Sequence, residues 1–539
     1  MNDQHVTVLT EPLGGSSLAH ASLDGAAPEW FGRRPTTPSA WRARAEETGS
    51  TAPDGWLDRL RPALAASGAA AARLARVADG RGVVVTTGQQ PGLFGGPVYT
   101  WSKAISALAL ADALEEATGI PVAPVFWAAT DDSDLAEAST TWVSLNGGAE
   151  ELRLGGLSSD MEGRAMAEVP LPDLSEQLAT LRRAGGSVSN ASPLELVESA
   201  YKAGVTVGDA YLMLLRGLLE PLGIAVLDAS HPSVRTAARP LLVTALRRAQ
   251  ELERTLKDRT TEIERRGFVP QVPQVDGLSP VFVYEPEGRR RVPVTETESI
   301  AANGDAVLGP NVLLRPVMER AILPTVAYVA GPGELAYFAQ VSAVADALDQ
   351  PLPLAVPRWS ALIIEPHVAG LLERYGLDPS DLADAHAPER ALAEGLVPEG
   401  IRNAIAGLRA ALETATRTLL ELNETEDGEL VPASVPPGAA AAMGHRLDRL
   451  ERRYRAAVRR RERRAFTDLS TLRGALRPGG ARQERALNLL PLLARHGRPL
   501  LDAMRQAARA HADALVGLAS GANEGTKGGA LATESSGGS

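Results

Sequence analysis

The sequence predicts an α/β protein: a mainly parallel β-sheet core broken by insertions, followed by a long α-helical arm of coiled-coil pattern. Three observations carry this. From about residue 83 to 365, short apolar runs alternate with helical stretches, as they do in layered domains built on βαβ units. Beyond Pro366 β-branched runs become scarce, and apolar residues recur in alternating steps of four and three. At 539 residues the chain is also long enough for a large core and more than one domain.

Composition removes several function classes. Lys plus Arg total 55 against 66 Asp plus Glu, a net charge of -11, so the chain as a whole is not built to coat nucleic acid or an anionic membrane. With no cysteine there is no disulfide framework, thiolate metal site or cysteine nucleophile, which fits a reducing cytosol. The first thirty residues lack a basic stretch followed by a continuous apolar run, and Ala104 to Ala113 is too short and too interrupted by charge to span a bilayer. A cytoplasmic protein is expected. The eight histidines are scattered without HExxH or HxH spacing, so no metal is implied, and no GxSxG elbow is present.

Residues 1–82 form an N-terminal segment expected to pack on the core, which runs over 83–365. Four candidate strands anchor that core: Val83 to Thr86, Val122 to Ala128, Ile224 to Leu227 and Thr325 to Val329. A helix of crossover length separates the first two. Insertions are expected near 147–190, which is polar and Gly-rich, and near 269–306, which includes the strand-like Val281 to Tyr284. In the arm, 366–475, Ile401, Ile405, Leu408, Leu412, Ala415, Leu419 and Leu422 follow the a/d seam of a coiled coil. After a tip at Val431 to Gly438, the residues Leu447, Leu450, Tyr454, Ala457, Ala465, Leu469 and Leu472 resume the stripe, interrupted at Arg461. Ten arginines between Arg446 and Arg464 lie all around this helix and read as solvated faces. Two helices cannot fully bury such a seam, so the arm predicts a homodimer. A helical return to the core is expected over 476–519, and a disordered Gly/Ser/Thr-rich tail over 520–539.

The stretch from Val83 to Lys103 is the most informative. Its β-branched run leads into Gly88, Gly92, Gly95 and Gly96, with Gln89 and Gln90 offering amide donors and acceptors and Tyr99 opening a helix. It matches neither GxxxxGK[ST] nor GxGxxG, so it reads either as a glycine-rich connector or as a ligand loop. At the end of the second strand, Asp131, Asp132 and Asp134 can hold an ammonium group, a magnesium ion or a proton, or simply cap a helix. A third segment puts Asn311 four residues before Arg315, and Glu334 and Tyr337 follow a strand through a Gly-Pro-Gly turn. Arg315 suits a carboxylate or phosphate clamp or a salt bridge, Glu334 a site or a helix-start charge. Arg358 is a further candidate anion contact.

Taken together, TGQQPGLFGGPVYTWSKA, PVFWAATDDSD, GPNVLLRPVMERAILPTVAYVAGPGELAYFAQ, VPRWSA and RPGGARQERALNLLPLLARHG, between residues 86 and 497, resemble the cysteine ligase family of bacillithiol biosynthesis, BshC. The resemblance implies a Rossmann-like, nucleotidyltransferase-type core with connecting insertions, a coiled-coil arm used for dimerisation, and a last-step reaction joining cysteine to glucosaminyl-malate. Carried over, the pocket comprises Gly88, Gln89, Gln90, Tyr99, Asn311, Arg315, Glu334 and Tyr337 for substrate, with Arg358 beside them, and Asp132, Asp134 and Lys103 for chemistry. The family's histidines are replaced here by Ser133 and Thr140. Amide formation in water needs an activated carboxyl group, so ATP is the natural donor, with the amides of Gly92, Gly95 and Gly96 as the expected phosphate contacts. Two other readings use the same features: a nucleotidyltransferase or amino-acid-activating enzyme with another acceptor, and a noncatalytic dimeric scaffold.

Overall fold

The computed structural model describes residues 6–156, 161–186, 190–285, 288–425 and 428–518. The segment from Ser520 onward, expected to be disordered, lies outside the described residues. The chain forms two compact units, one of residues 6–141, 152–363 and 488 onward, the other of residues 142–151 and 364–487.

Eight strands organise the first unit: β1 (Val83–Gln89), β2 (Val122–Ala128), β3 (Ala225–Asp228), β4 (Leu278–Glu285), β5 (Gly288–Pro293), β6 (Val307–Pro310), β7 (Thr325–Ala330) and β8 (Ala355–Pro357). Five make a parallel sheet in the order β8-β7-β1-β2-β3. The four expected strands are all in it, and every residue of β2 and β7 is buried, as strands covered on both faces must be. β1 runs three residues past the expected turn because Gly88 still pairs with Trp127, where an added Cβ would lie 2.9 Å from the Trp127 carbonyl oxygen. Strands β2 and β3 lie on one side of β1, and β7 and β8 on the other. The order therefore reverses between β1 and β7, and the carboxyl ends of those two strands flank the crevice where open α/β sheets bind ligands. Strands β4 and β5, from the second expected insertion, and β6, which begins just past its expected end, form a separate antiparallel sheet, β5-β4-β6.

Helix α1 (Val98–Thr118) connects β1 to β2 and is buried on nearly every side. A helix apolar all round must be covered all round, and here the sheet and a late helix, Leu490–Val516, supply the cover. The loop before α1 turns through a single 3-10 turn, Leu93–Gly95. Gly95 sits at φ +83°, where a Cβ would also meet the Trp101 ring at 2.7 Å. The buried amide of Asn488 fastens the loop, reaching the carbonyls of Leu93, Phe94 and Gly96 at 3.4, 3.0 and 3.4 Å. Removing it leaves buried carbonyls without a donor, so Asn488→Ala is expected to cost about 1–3 kcal/mol in chemical denaturation.

In the second unit, α2 (Glu399–Asn423) and α3 (Val435–Arg461) form the expected hairpin, and α4 (Arg463–Leu476) begins after a break at Glu462, where the stripe is interrupted. The reversal comes earlier than expected, at the ribbon pairing Glu424–Thr425 with Gly428–Glu429, and Pro436 falls in the first turn of α3, where a missing N–H costs nothing. The seam also differs. The face of α2 turned inward is Ile401, Ile405, Arg409, Leu412, Thr416, Leu420 and Asn423, whereas Leu408, Leu419 and Leu422 are 52, 57 and 68% exposed. Arg409 enters that face because it pairs with Asp448 and Glu451 across the hairpin, which rotates the helix away from a pure a/d contact.

Candidate active site

Lys103 projects from the second turn of α1 into the crevice between β1 and β7. Helix α5 (Pro332–Ala347), following β7, brings Glu334 to meet it. The ammonium lies 2.6 Å from the Glu334 carboxylate, 2.8 Å from the Gly88 carbonyl and 2.9 Å from Oε1 of Gln89. All three of its N–H donors are thereby engaged. Burial pushes the Lys103 ammonium below its ordinary range, and Glu334 opposes that shift. For Glu334, burial pushes upward, but Lys103, the Tyr328 hydroxyl and the Gly331 amide outweigh it and leave the carboxyl below its ordinary value. Glu334 thus caps its own helix, through the Gly331 N–H at 2.7 Å, while serving as counter-ion.

The chemistry of the end groups fixes both glutamines. Lysine can only donate, so Gln89 turns its oxygen to Lys103 and its Nε2 toward Gln90 Oε1 (3.1 Å), the Tyr99 oxygen (3.0 Å) and Glu137 (3.0 Å), three acceptors that share its two N–H groups. Gln90 must then present Nε2 to Asp132, at 3.1 Å. Asp132 also accepts from the backbone N–H of Ser133 (2.6 Å) and Asp134 (3.2 Å), and from Arg289 at 3.0 Å. An unbroken line of polar contacts, Glu334–Lys103–Gln89–Gln90–Asp132–Arg289, therefore crosses the carboxyl ends of β7, β1 and β2 and reaches strand β5. The second glutamine pair member and the acid are not independent candidates but links in one chain.

Beside this line lies a second buried group. Arg315 pairs with Glu319 at 2.8 Å and reaches the hydroxyls of Tyr328 and Tyr337 at 3.2 and 3.4 Å, and Thr86 donates to Glu319. Burial, with Glu334 adding to it, pushes the Glu319 carboxyl upward despite Arg315. Arg358 is buried, donates to the Trp359 carbonyl at 3.0 Å and lies close to Gly331 alongside Lys103 and Glu334.

Several expectations change. Gly92, Gly95 and Gly96 do not form an open phosphate cradle: the N–H groups of Gly95 and Gly96 bond to the carbonyls of Gly92 and Leu93, Gly95 also meets Tyr201, and Gly92 gives its carbonyl to that tyrosine. Asn311 is not brought to the crevice by its side chain, whose oxygen accepts from the N–H groups of Leu313 and Leu314 and so starts the helix Arg315–Ile322. Arg315 has its fork filled by Glu319 and two tyrosines rather than held open for a carboxylate. Lys103 has its three donors engaged within the protein and orients Gln89. Asp134 caps the short helix Leu135–Ala138 through the Glu137 N–H, and Thr140 opens the strand Thr140–Leu145. Gly88, Gln89, Gln90, Tyr99, Asp132, Glu334 and Tyr337 do converge. Among the described residues no cluster of His, Asp and Glu suits a metal ion, and no helix is long and apolar enough to cross a membrane.

A model of the N-terminal Rossmann-like domain of bacillithiol biosynthesis BshC matches residues 24–359, and a model of its C-terminal coiled-coil domain matches residues 361–514. The chain belongs to the BshC family. Proteins named "Putative cysteine ligase BshC" are similar over most of their length: that of Solibacter usitatus is 34% identical over 442 residues, covering 79% of this chain and 82% of the relative. The protein of Koribacter versatilis is 33% identical over 477 residues, 84% and 86% of the two chains. That of Geobacillus thermodenitrificans is 26% identical over 517 residues, 89% and 94% of the two.

Sequence reasoning about this BshC chain missed Glu137, Glu319, Tyr328, Arg289 and Asn488. Two carried a signal: Glu319 stands four residues after Arg315, at ion-pair spacing on a helix, and Glu137 three residues after Asp134, at capping spacing. Tyr328 looked like one more core residue of a strand, and Arg289 comes from a distant insertion.

Proposed function

We propose that this protein is a ligase that forms an amide bond between cysteine and glucosaminyl-malate as the last step of bacillithiol biosynthesis, in the cytoplasm, with ATP as the activating co-substrate. The observation that carries the reading is the line from Glu334 to Arg289 across the sheet's switch point. Joining a carboxyl group to an amine requires two polar substrates held in one orientation, and a row of amides fixed between a buried cation and a carboxylate supplies that order without a metal ligand set. The relatives' names support the ligase chemistry. Because the amides of Gly95 and Gly96 are used within the protein, no nucleotide phosphate is assigned to that loop.

Isothermal calorimetry with glucosaminyl-malate tests the site. Binding by the wild type and loss of binding in Gln90→Ala, with an unchanged melting temperature, is the expected result. A wild type that binds neither glucosaminyl-malate nor ATP favours a noncatalytic dimeric scaffold.

The arm is proposed to make a homodimer. Leu408, Leu419 and Leu422 of α2 and Met443, Leu450 and Tyr454 of α3 are exposed, and heptad-like spacing puts each set on one flank of its helix. Burying both flanks against a second copy would complete a four-helix arrangement. The double variant Leu419→Arg/Leu422→Arg is expected to shift the protein from dimer to monomer in sedimentation velocity.

A further inference from the structure

We propose that Glu137 is the group that holds the amine of the acceptor substrate and takes its proton, an inference that rests on the amide-forming function proposed above. Four carboxylates stand on the Asp131 to Glu137 segment at the mouth of the crevice, and their hydrogen bonds separate them. Both oxygens of Asp132 are engaged, Oδ1 by Arg289 and the N–H groups of Ser133 and Asp134 and Oδ2 by Gln90, and its charge is already matched by Arg289. Asp131 lies beneath the antiparallel sheet, accepting from Tyr284 at 3.3 Å, while Arg289 reaches its backbone carbonyl and Arg235 covers the Tyr284 ring. Its carboxyl is thus enclosed by protein groups, and burial with the adjacent Asp132 raises it above its ordinary value. Asp134 is exposed, caps the Leu135–Ala138 helix and makes no hydrogen bond to either glutamine among the described residues.

Glu137 differs from all three. One oxygen, Oε1, is held by two donors, the Tyr99 hydroxyl at 2.7 Å and Gln89 Nε2 at 3.0 Å. The other, Oε2, accepts no hydrogen bond among the described residues. Tyr99 and Lys103 are one helical turn apart on α1, and Lys103 fixes the direction in which Gln89 donates. The buried ion pair therefore reaches Glu137 through a single amide and holds its carboxylate in place with one oxygen open. An ammonium group donating to Oε2 forms a charge-assisted hydrogen bond. Transfer of one proton from the nitrogen to Oε2 leaves a neutral amine, whose lone pair is then free to attack an activated acyl carbon, and leaves Glu137 as the neutral acid. The proton then passes to solvent from this exposed carboxyl group, which restores the carboxylate.

The test compares two ligands by calorimetry: an amino-sugar malate glycoside with a free amine, and the same molecule N-acetylated, which carries no ammonium. The wild type is expected to prefer the free amine by about 10- to 100-fold, and Glu137→Gln to abolish that preference while binding the N-acetyl form as before. Because Glu137 is exposed, the melting temperature of Glu137→Gln should match the wild type, and Glu137→Asp should keep part of the preference. A preference that survives in Glu137→Gln overturns the inference, as does one that disappears instead in Asp134→Asn. Equal binding of both ligands by the wild type overturns it too, while leaving the ligase reading standing; a wild type that binds neither removes the ligase reading as well.

Discussion

Glu334→Gln is expected to destabilise the protein by roughly 3–5 kcal/mol in urea denaturation at neutral pH, because it strands a buried ammonium. Lys103 and Glu334 side chains are 5% and 17% exposed, and the other two contacts of Lys103 are to neutral oxygens. The pH dependence of the variant gives a second handle, and its sign follows from burial. Lys103 has a folded-state pKa below its ordinary 10.5, so between the two values the unfolded chain binds more protons than the folded one, and stability rises with pH. Loss of Glu334 removes the main opposition to that shift and widens the window. The variant should therefore regain stability as pH climbs toward 10.5. On the acid side, the wild type should lose the contribution of Glu334 as pH falls below 4.5 through its lowered folded value, and the variant should lack that step. The double variant Lys103→Met/Glu334→Leu removes both charges and should recover most of the loss, since a buried pair replaced by apolar groups costs little.

Gln89→Leu is expected to lower the rate of thiol formation by at least about 100-fold, with a stability loss of only about 1–3 kcal/mol. The leucine cannot accept from Lys103, but that ammonium keeps Glu334 and the Gly88 carbonyl, so the crevice stays folded. What is lost is direction. Gln90 and Glu137 no longer receive a donor whose orientation is set from the buried side, so Gln90, Asp132 and Arg289 keep their contacts with one another but lose their tie to Lys103 and Glu334. Gln89→Glu is the informative companion: it pairs with Lys103 yet cannot donate to Glu137 or Gln90 and sets a carboxylate oxygen against Glu137, so it should be as inactive as the leucine variant. Near-normal turnover by either variant would contradict the role given to the glutamine.

The sheet was legible because strands buried on both faces must be apolar throughout, and Val83 to Thr86 and Val122 to Ala128 have no other good use. The hairpin was legible for a similar reason, its period being set by the helix. The inward face of α2 was not, because Arg409 takes a position that apolar spacing assigns to Leu408, and only the placement of Asp448 and Glu451 on the neighbouring helix explains it. In the site, Gln89, Gln90 and Lys103 stood out by sequence, and their mutual orientation did not. Which end of an amide faces which neighbour is set by Lys103, whose own buried position is matched by Glu334, some 230 residues beyond it in the chain. The glycine loop misled for the opposite reason: glycines that let a backbone approach a phosphate also let it pack against Trp101, Tyr201 and Asn488, and the sequence does not distinguish the two.

The most direct test places the gene in a bacterial strain deleted for its own cysteine-adding enzyme of bacillithiol synthesis and measures bacillithiol and glucosaminyl-malate by thiol labelling and mass spectrometry. The account predicts that the wild-type chain restores the cysteine-containing thiol and clears the precursor, and that Gln89→Leu, present at a similar level, leaves the precursor accumulated. Accumulated precursor and no thiol with the wild-type chain, or full restoration by Gln89→Leu, would contradict it.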